Sequence, residues 1–266
     1  MVDPRPWLAR IAAVAFLLAI AACPLAGAVK LDLRDGRLFV KGVYVNGQGP
    51  YRFLIDTGAN MNVIESDLAQ KIGMSATFRD IVESALGKRS MPGSDDNVIE
   101  LGHVRAENQR FQFSELESLH TVWPDVKGIL GQAFLACFDY RMDLRHKTLE
   151  FGKQEAPGKR TPFRLLEGRT TLHTSLGNLV VDSGAARLLL FGVTPEDGDE
   201  IPMLTMTGSG NVGTVTRKLL IEGRDVWRGD AIALPDRPEP GIAGLMPVSF
   251  FKSVYICNSE GYVVLE

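Results

Sequence analysis

An all-β chain of two homologous lobes is expected from three features of the sequence. The first is an internal repeat. Phe53-Leu54-Ile55-Asp56-Thr57-Gly58-Ala59 returns as Leu179-Val180-Val181-Asp182-Ser183-Gly184-Ala185, and Gly128-Ile129-Leu130-Gly131 returns as Gly241-Ile242-Ala243-Gly244. Two motifs recurring in one order at similar separations mark a duplicated structural unit. The second is a run of short apolar segments broken by Gly-rich turns, the pattern of closely spaced strands. The third is the scarcity of helical periodicity, with one convincing helix in 266 residues.

Length and composition agree with a folded protein. A chain that is 45% hydrophobic and 23% charged has the apolar content for real cores and is no disordered, collagen-like or coiled-coil sequence. Its net charge of −3 argues against nucleic acid as a partner, since phosphate binding needs a basic face. Three cysteines cannot build a disulfide scaffold.

At the N-terminus, Arg5 and Arg10 precede an uncharged run over 11–29. A basic start, a short apolar core and a small-residue exit at Ala26-Gly27-Ala28 match a secretory signal peptide over 1–28. Two other readings stand beside it. Ile20-Ala21-Ala22-Cys23 resembles a lipoprotein signal that would leave a lipid on Cys23, and the apolar run is just long enough to stay as a membrane anchor. Each reading places the rest of the chain in the periplasm or outside the cell, as a secreted or membrane-attached protein. Cys137 and Cys257 then lie in an oxidising compartment; apolar neighbours mark both as buried thiols, and their pairing stays open.

The first lobe is expected over 29–152. Alternation over 38–45, Asn46-Gly47 as a tight turn and a strand over 51–55 describe a hairpin that delivers Asp56. The helix is expected over 67–72, with Ser66 as N-cap and Gly73 just past its end; a short second helix follows Gly131. The Pro/Gly-rich stretch 153–162 reads as a linker. The second lobe, 163–266, repeats the hairpin with a strand over 170–174, a turn at Gly177-Asn178 and a strand over 179–181.

Each Asp-[Thr/Ser]-Gly-Ala follows three apolar residues, so a buried strand carries a carboxylate into a tight turn that glycine permits. One such tetrapeptide is weak evidence. Two copies, each followed by a Gly-Ile-x-Gly element, are specific. Over nearly the whole chain after residue 28, these residues resemble the aspartic proteases of pepsin and retropepsin type. Lys127-Gly128-Ile129-Leu130-Gly131, the following Phe138-Asp139-Tyr140-Arg141-Met142-Asp143 and the stretch 241–255 resemble the family's second signature. The nearest likeness is to exported bacterial enzymes whose two lobes each resemble one retropepsin subunit.

That resemblance implies two retropepsin-like β-barrel lobes facing each other across an active-site cleft, catalytic Asp56 and Asp182, and a polypeptide substrate bound in extended form. Thr57 and Ser183 would brace the opposing loop, Gly58 and Gly184 would allow close approach, and Ala59 and Ala185 would complete the loops. Such chemistry needs no metal and no cofactor, and one chain supplies both carboxyls, so the protein is expected to be monomeric. Because Ala59 and Ala185 offer the carboxyls no hydroxyl, the working pH is expected to be less acid than pepsin's.

Departures from the pattern lie in the flaps. The pepsin flap carries a tyrosine, and none occurs between Gly73 and Gly128. A hairpin around Ala85-Leu86-Gly87-Lys88 would serve as a shorter flap, and residues 91–97 read equally as a loose polar loop. In the second lobe Gly208, Ser209 and Gly210 would form a flap tip. The run to Gly213 also fits G-x-G-x-x-G, but a strand follows where a dinucleotide site requires a helix. His103, His120, His146 and His173 lack metal-ligand spacing, and Ser183 lacks a nucleophile elbow. The acidic runs at 95–96 and 196–200 read as solvated loops, and Trp123 and Trp227 as core or cleft-lining residues. Two rivals remain: a catalytically silent peptide-binding module on the same fold, and a single-lobe protease working as a homodimer.

Overall fold

The computed structural model describes residues 27–266 apart from 85–86, 197–199, 206–207 and 235–239, with the backbone alone at 83–84, 87–88, 204–205 and 208–209. Most of the leader, with Cys23, lies outside the described residues, as does Leu86. Among the described residues no helix is long and apolar enough to cross a membrane.

The fold is all-β. In chain order the first half contains β1 (Val29–Arg34), β2 (Arg37–Val45), β3 (Gln48–Ile55), β4 (Asn62–Glu65), α1 (Ser66–Lys71), β5 (Phe78–Ser84), β6 (Gly87–Leu101) and β7 (Val104–Ser114). It continues through α2 (Glu117–His120), β8 (Val126–Leu130), α3 (Gln132–Leu135), β9 (Tyr140–Asp143) and β10 (Thr148–Phe151). The second half contains β11 (Arg160–Pro162), β12 (Arg164–Leu166), β13 (Arg169–Thr174), β14 (Gly177–Asp182), β15 (Leu189–Phe191) and β16 (Ile201–Thr205). After these come β17 (Gly208–Ile221), β18 (Arg224–Leu234), β19 (Gly244–Pro247), a single 3-10 turn, β20 (Ser253–Cys257) and β21 (Tyr262–Leu265).

The two halves share one topology. The first half runs β2-β3-β8-β4-β7-β6-β5 and the second β13-β14-β19-β15-β18-β17-β16. The senses match strand for strand: β3 is parallel to β8 as β14 is to β19, and β4 is parallel to β7 as β15 is to β18. In the first half β2 also pairs with β6, Val43 opposite Leu101, which closes the sheet on itself. Closure removes the exposed edges that an open sheet would carry. Inside it Phe53 and Phe111 meet edge to face, with ring centroids 6.4 Å apart.

A further sheet region is built by both halves, in the order β11-β21-β20-β9-β10-β1. Tyr140 of β9 pairs with Ile256 of β20, and every residue of β20 is buried. Arg141 Nη2 fixes the junction by donating to Ser253 Oγ at 3.0 Å and Glu266 Oε2 at 2.9 Å.

Each half also ends its sheet order in an edge hairpin. β5 pairs with β6 from Phe78↔Gly93 to Ser84↔Gly87, and β16 pairs with β17 from Ile201↔Val212 to Thr205↔Gly208. β16 packs against α2 of the other half.

Several sequence expectations need correction. The helix is Ser66–Lys71, one residue earlier than expected, and Glu65 occupies the N-cap position with no side-chain cap bond. The second hairpin turns at Ser175-Leu176, because Gly177 already pairs with Thr174. Residues 91–97 are strand: Asn97, buried inside β6, donates to the carbonyls of Ser94, Asp95 and Gln109 and so satisfies a bulged polar stretch. The linker stretch ends in β11, whose Arg160 pairs with Val264. Cys137 is exposed at the end of α3 while Cys257 is buried, and both are free thiols.

Candidate active site

β3 and β14 are buried strands that end at equivalent carboxylates. Phe53, Leu54 and Ile55 lead to Asp56, and Leu179, Val180 and Val181 lead to Asp182. Each strand end is held by its parallel neighbour. Ile55 pairs with Leu130, and the Asp56 N–H donates to Leu130 O at 3.0 Å; Asp182 pairs with Pro247.

Past each aspartate the chain turns back on its own side chain. Asp56 Oδ1 accepts the N–H groups of Gly58 at 2.9 Å and Ala59 at 3.1 Å. Asp182 Oδ1 accepts those of Gly184 at 2.7 Å and Ala185 at 3.1 Å. The loops therefore fix both carboxyls by the same pair of bonds.

The two loops interlock through their second residues. Thr57 Oγ1 donates to Val181 O at 2.6 Å and accepts the Ser183 N–H at 2.9 Å. Ser183 Oγ donates to Ile55 O at 2.7 Å and accepts the Thr57 N–H at 3.0 Å. All four bonds join one half to the other, and both hydroxyl residues are fully buried. Replacing Thr57 by Val keeps the shape but leaves a buried N–H without its acceptor and a carbonyl without its donor. We expect a loss of about 2–4 kcal/mol in denaturant unfolding, with Thr57→Ser recovering most of it.

Neighbouring polar groups brace the first loop. Gln132 Nε2 donates to Thr57 O at 3.0 Å, and Asn62 Oδ1 accepts the Gly131 N–H at 3.1 Å. Gly131 is required by close approach: a Cβ there would lie 2.8 Å from Ala59 O.

Glycine in each loop lets the carboxyls meet. A Cβ on Gly58 would stand 2.5 and 2.6 Å from the Asp182 carboxylate oxygens, and one on Gly184 would stand 2.6 and 2.7 Å from those of Asp56. The two carboxyls thus face each other, each lying against the glycine of the opposite loop. Asp182 is 4% exposed, and Asp56 retains partial exposure. Burial raises the proton affinity of both above the ordinary carboxylate range. For Asp182 the adjacent Asp56 charge adds to that rise, whereas the Asp56 rise is opposed by the Asp182 hydrogen bond, the Gly58 and Ala59 N–H groups and the Arg37 charge. Such a pair can hold one proton between two oxygens across a wide pH range, giving an acid and a base side by side.

Of the expected flap residues that are described, Gly87 opens β6, while Gly208, Ser209 and Gly210 open β17, paired with Thr205, Leu204 and Met203. The G-x-G-x-x-G run continues as strand through Ile221. Trp123 is buried against Phe39, with ring centroids 5.1 Å apart, and Trp227 stacks on Phe250. The histidines make local contacts: His120 with Val126 O, His146 with Asp143, His173 with Asn178 and His103 with Phe151. Among the described residues no three His, Cys, Asp or Glu side chains are grouped to hold a metal ion.

Two residues beside the loops escaped the sequence reading. Arg37 Nε donates to Gly184 O at 2.9 Å, and Arg169 Nη1 donates to Gly58 O at 3.4 Å. A signal for them exists, since Asp35-Gly36-Arg37 returns as Glu167-Gly168-Arg169.

Comparison with protein families yields one match: the model described as aspartyl protease covers residues 42–134. That segment spans the Asp56 loop and the Gly128-Ile129-Leu130-Gly131 element and ends before the second half. No curated protein matches the chain.

Proposed function

We propose that this chain is an aspartic endopeptidase in which one polypeptide supplies both catalytic carboxyls, Asp56 and Asp182. What carries this is the buried contact between two like carboxyls, delivered by equivalent strands and locked by reciprocal Thr57 and Ser183 bonds. Burying two carboxylates in contact costs stability unless they share a proton, and a binding cleft has no need of that expense. The family match over 42–134 supports peptide hydrolysis as the chemistry.

The ionised carboxyl takes a proton from a water molecule, and the water oxygen attacks the scissile carbonyl carbon. The protonated carboxyl hydrogen-bonds the carbonyl oxygen and gives up its proton as that oxygen gains charge. Collapse of the gem-diol breaks the C–N bond: the carboxyl that took the water proton passes it to the leaving nitrogen, while one hydroxyl of the intermediate returns its proton to the other carboxylate as C=O re-forms, which restores the singly protonated pair. An extended polypeptide fits this fold, because strand-like backbone bonding is what hairpin edges offer. The edge hairpins β5–β6 and β16–β17 hold equivalent places in the two halves and would cover the substrate from both sides. Arg5, Arg10 and the apolar run over 11–29 support an exported enzyme, either free after cleavage near Ala28 or held by its leader.

The test is cleavage of an unfolded protein by the full chain from pH 3 to 8, with and without pepstatin. Pepstatin-sensitive cleavage is expected; none at any pH, from a folded sample, would leave the silent peptide-binding module. The profile carries a second expectation. Since burial raises both proton affinities, the singly protonated pair persists to less acid pH than an exposed carboxylate would allow. The rate should peak above about pH 4 and fall as the second proton leaves. A peak near pH 2 contradicts that.

A further inference from the structure

Arg37 and Arg169 stand in equivalent places that the chemistry above leaves unused. Each opens a strand, β2 or β13, directly after a tight turn whose two residues have positive φ: Asp35 and Gly36 at 49° and 77°, Glu167 and Gly168 at 49° and 74°. Such turns aim the following residue identically in both halves. Each side chain crosses to the other half and donates to a glycine carbonyl in the opposing Asp-x-Gly loop.

The accepting carbonyls identify the consequence. Gly184 O belongs to the peptide group whose N–H is that of Ala185, and this N–H donates to Asp182 Oδ1 at 3.1 Å. Gly58 O belongs to the peptide group whose N–H is that of Ala59, which donates to Asp56 Oδ1 at 3.1 Å. A guanidinium on one side of a peptide group and a carboxylate on the other polarise it in the same sense, and hydrogen bonds in series strengthen one another. We propose that Arg37 and Arg169 are positioning residues, each acting through a single peptide group on the aspartate of the opposite half: Arg37 through Gly184–Ala185 on Asp182, and Arg169 through Gly58–Ala59 on Asp56.

The surroundings suit that role. Arg169 is 9% exposed, and Arg37 lies over the buried Trp123 ring, 5.2 Å from its centroid. Both cations attract both aspartates. The other charges acting on them are those of the turns that present them, Asp35 on Arg37 and Glu167 on Arg169. Burial lowers the proton affinity of both guanidiniums, yet arginine remains charged across the range in which carboxyls titrate. Removing either cation withdraws a group that favours ionised carboxyl, so the pair should hold its protons to higher pH.

The role rests on the peptidase reading, but its test need not. Carboxyl 13C shifts of the full chain, labelled in aspartate, are followed from pH 2 to 9; the pair is assigned by the signals lost in Asp56→Asn and Asp182→Asn. In Arg37→Met and Arg169→Met the pair's titration should move up by about one pH unit, and in the Lys variants, which keep the charge but not the fork, by less. The acid limb of kcat/KM should move with it while KM stays. An unchanged titration in folded Met or Lys variants, with only a lower melting temperature, would overturn the proposal. A shifted titration in a chain that cleaves nothing would uphold the arginine role and remove the peptidase instead. Should the Met variants fail to fold, the Lys variants decide, since an unmoved titration there, together with an unmoved acid limb, refutes the peptide-borne coupling.

Discussion

Asparagine in place of either Asp56 or Asp182 is expected to abolish cleavage while leaving a fold that is more stable at neutral pH. The substitution is nearly isosteric, and its Oδ1 still accepts the two loop N–H groups that hold each carboxyl. What disappears is a proton-transfer partner: Asp56→Asn and Asp182→Asn each remove either the base or the acid. A positioned acid or base contributes about 10²–10⁴-fold, and loss of one member also removes the proton shared by the other, so kcat/KM should fall by at least about 10³-fold.

Stability moves the other way. Burial gives both carboxyls a higher proton affinity in the folded chain than in the unfolded one. Between the ordinary carboxylate range and that raised range the folded form holds more protons, so stability falls as pH rises through the window. Asn has no proton to lose and escapes the fall. Melting temperatures of both variants should exceed that of the wild type at pH 7, and the difference should vanish below about pH 4. An active Asp182→Asn beside a dead Asp56→Asn would instead favour a homodimer that uses only the first half.

The second large effect is expected from a single methyl group. Alanine at Gly58 or Gly184 would place its Cβ 2.5–2.7 Å from the carboxylate oxygens of the opposite loop, with no flexible side chain to give way. Both carboxyls are anchored by their own loops, and the loops by the Thr57 and Ser183 bonds. The strain must therefore separate the two halves where they meet. Overpacking of this kind costs about 1–3 kcal/mol, and a misplacement near 1 Å at reacting groups costs about 10²-fold in rate. Thermal melts and kcat/KM for Gly58→Ala and Gly184→Ala measure both losses. Wild-type values for either variant would mean that the loops do not approach as closely as described.

The residues that form this site were legible because their pattern is local. An apolar triplet, an Asp, a hydroxyl residue and a glycine specify a strand and the turn after it, and the repeat shows that the turn occurs twice. Asn46-Gly47 likewise announces its hairpin, with positive φ at both residues. Arg37 and Arg169 were not legible in that way. Their tripeptide also occurs as Glu222-Gly223-Arg224, which forms only the turn between β17 and β18. What distinguishes the first two is a reach across to the other half, and no local pattern encodes that. The same holds for β6, whose polar residues suggest a loop until Gln109 of β7 accepts and shares their hydrogen bonds. Cys137 shows the limit from the other side: apolar neighbours in sequence left its thiol exposed, because it follows the buried face of α3.

The sheet region shared by β9, β10 and β1 with β20, β21 and β11 bears on how the chain reaches this state. Tyr140 waits for Ile256 as its strand partner, so ribosomal synthesis exposes the edge of β9 long before its cover exists. Pairings this distant in sequence slow folding, since loop closure must precede any gain from contact. An uncovered β9 edge is meanwhile open to strands of other molecules. The sheet that joins the halves thus makes assembly an all-or-none event, and fragments cut between them would inherit sticky edges in place of a stable domain.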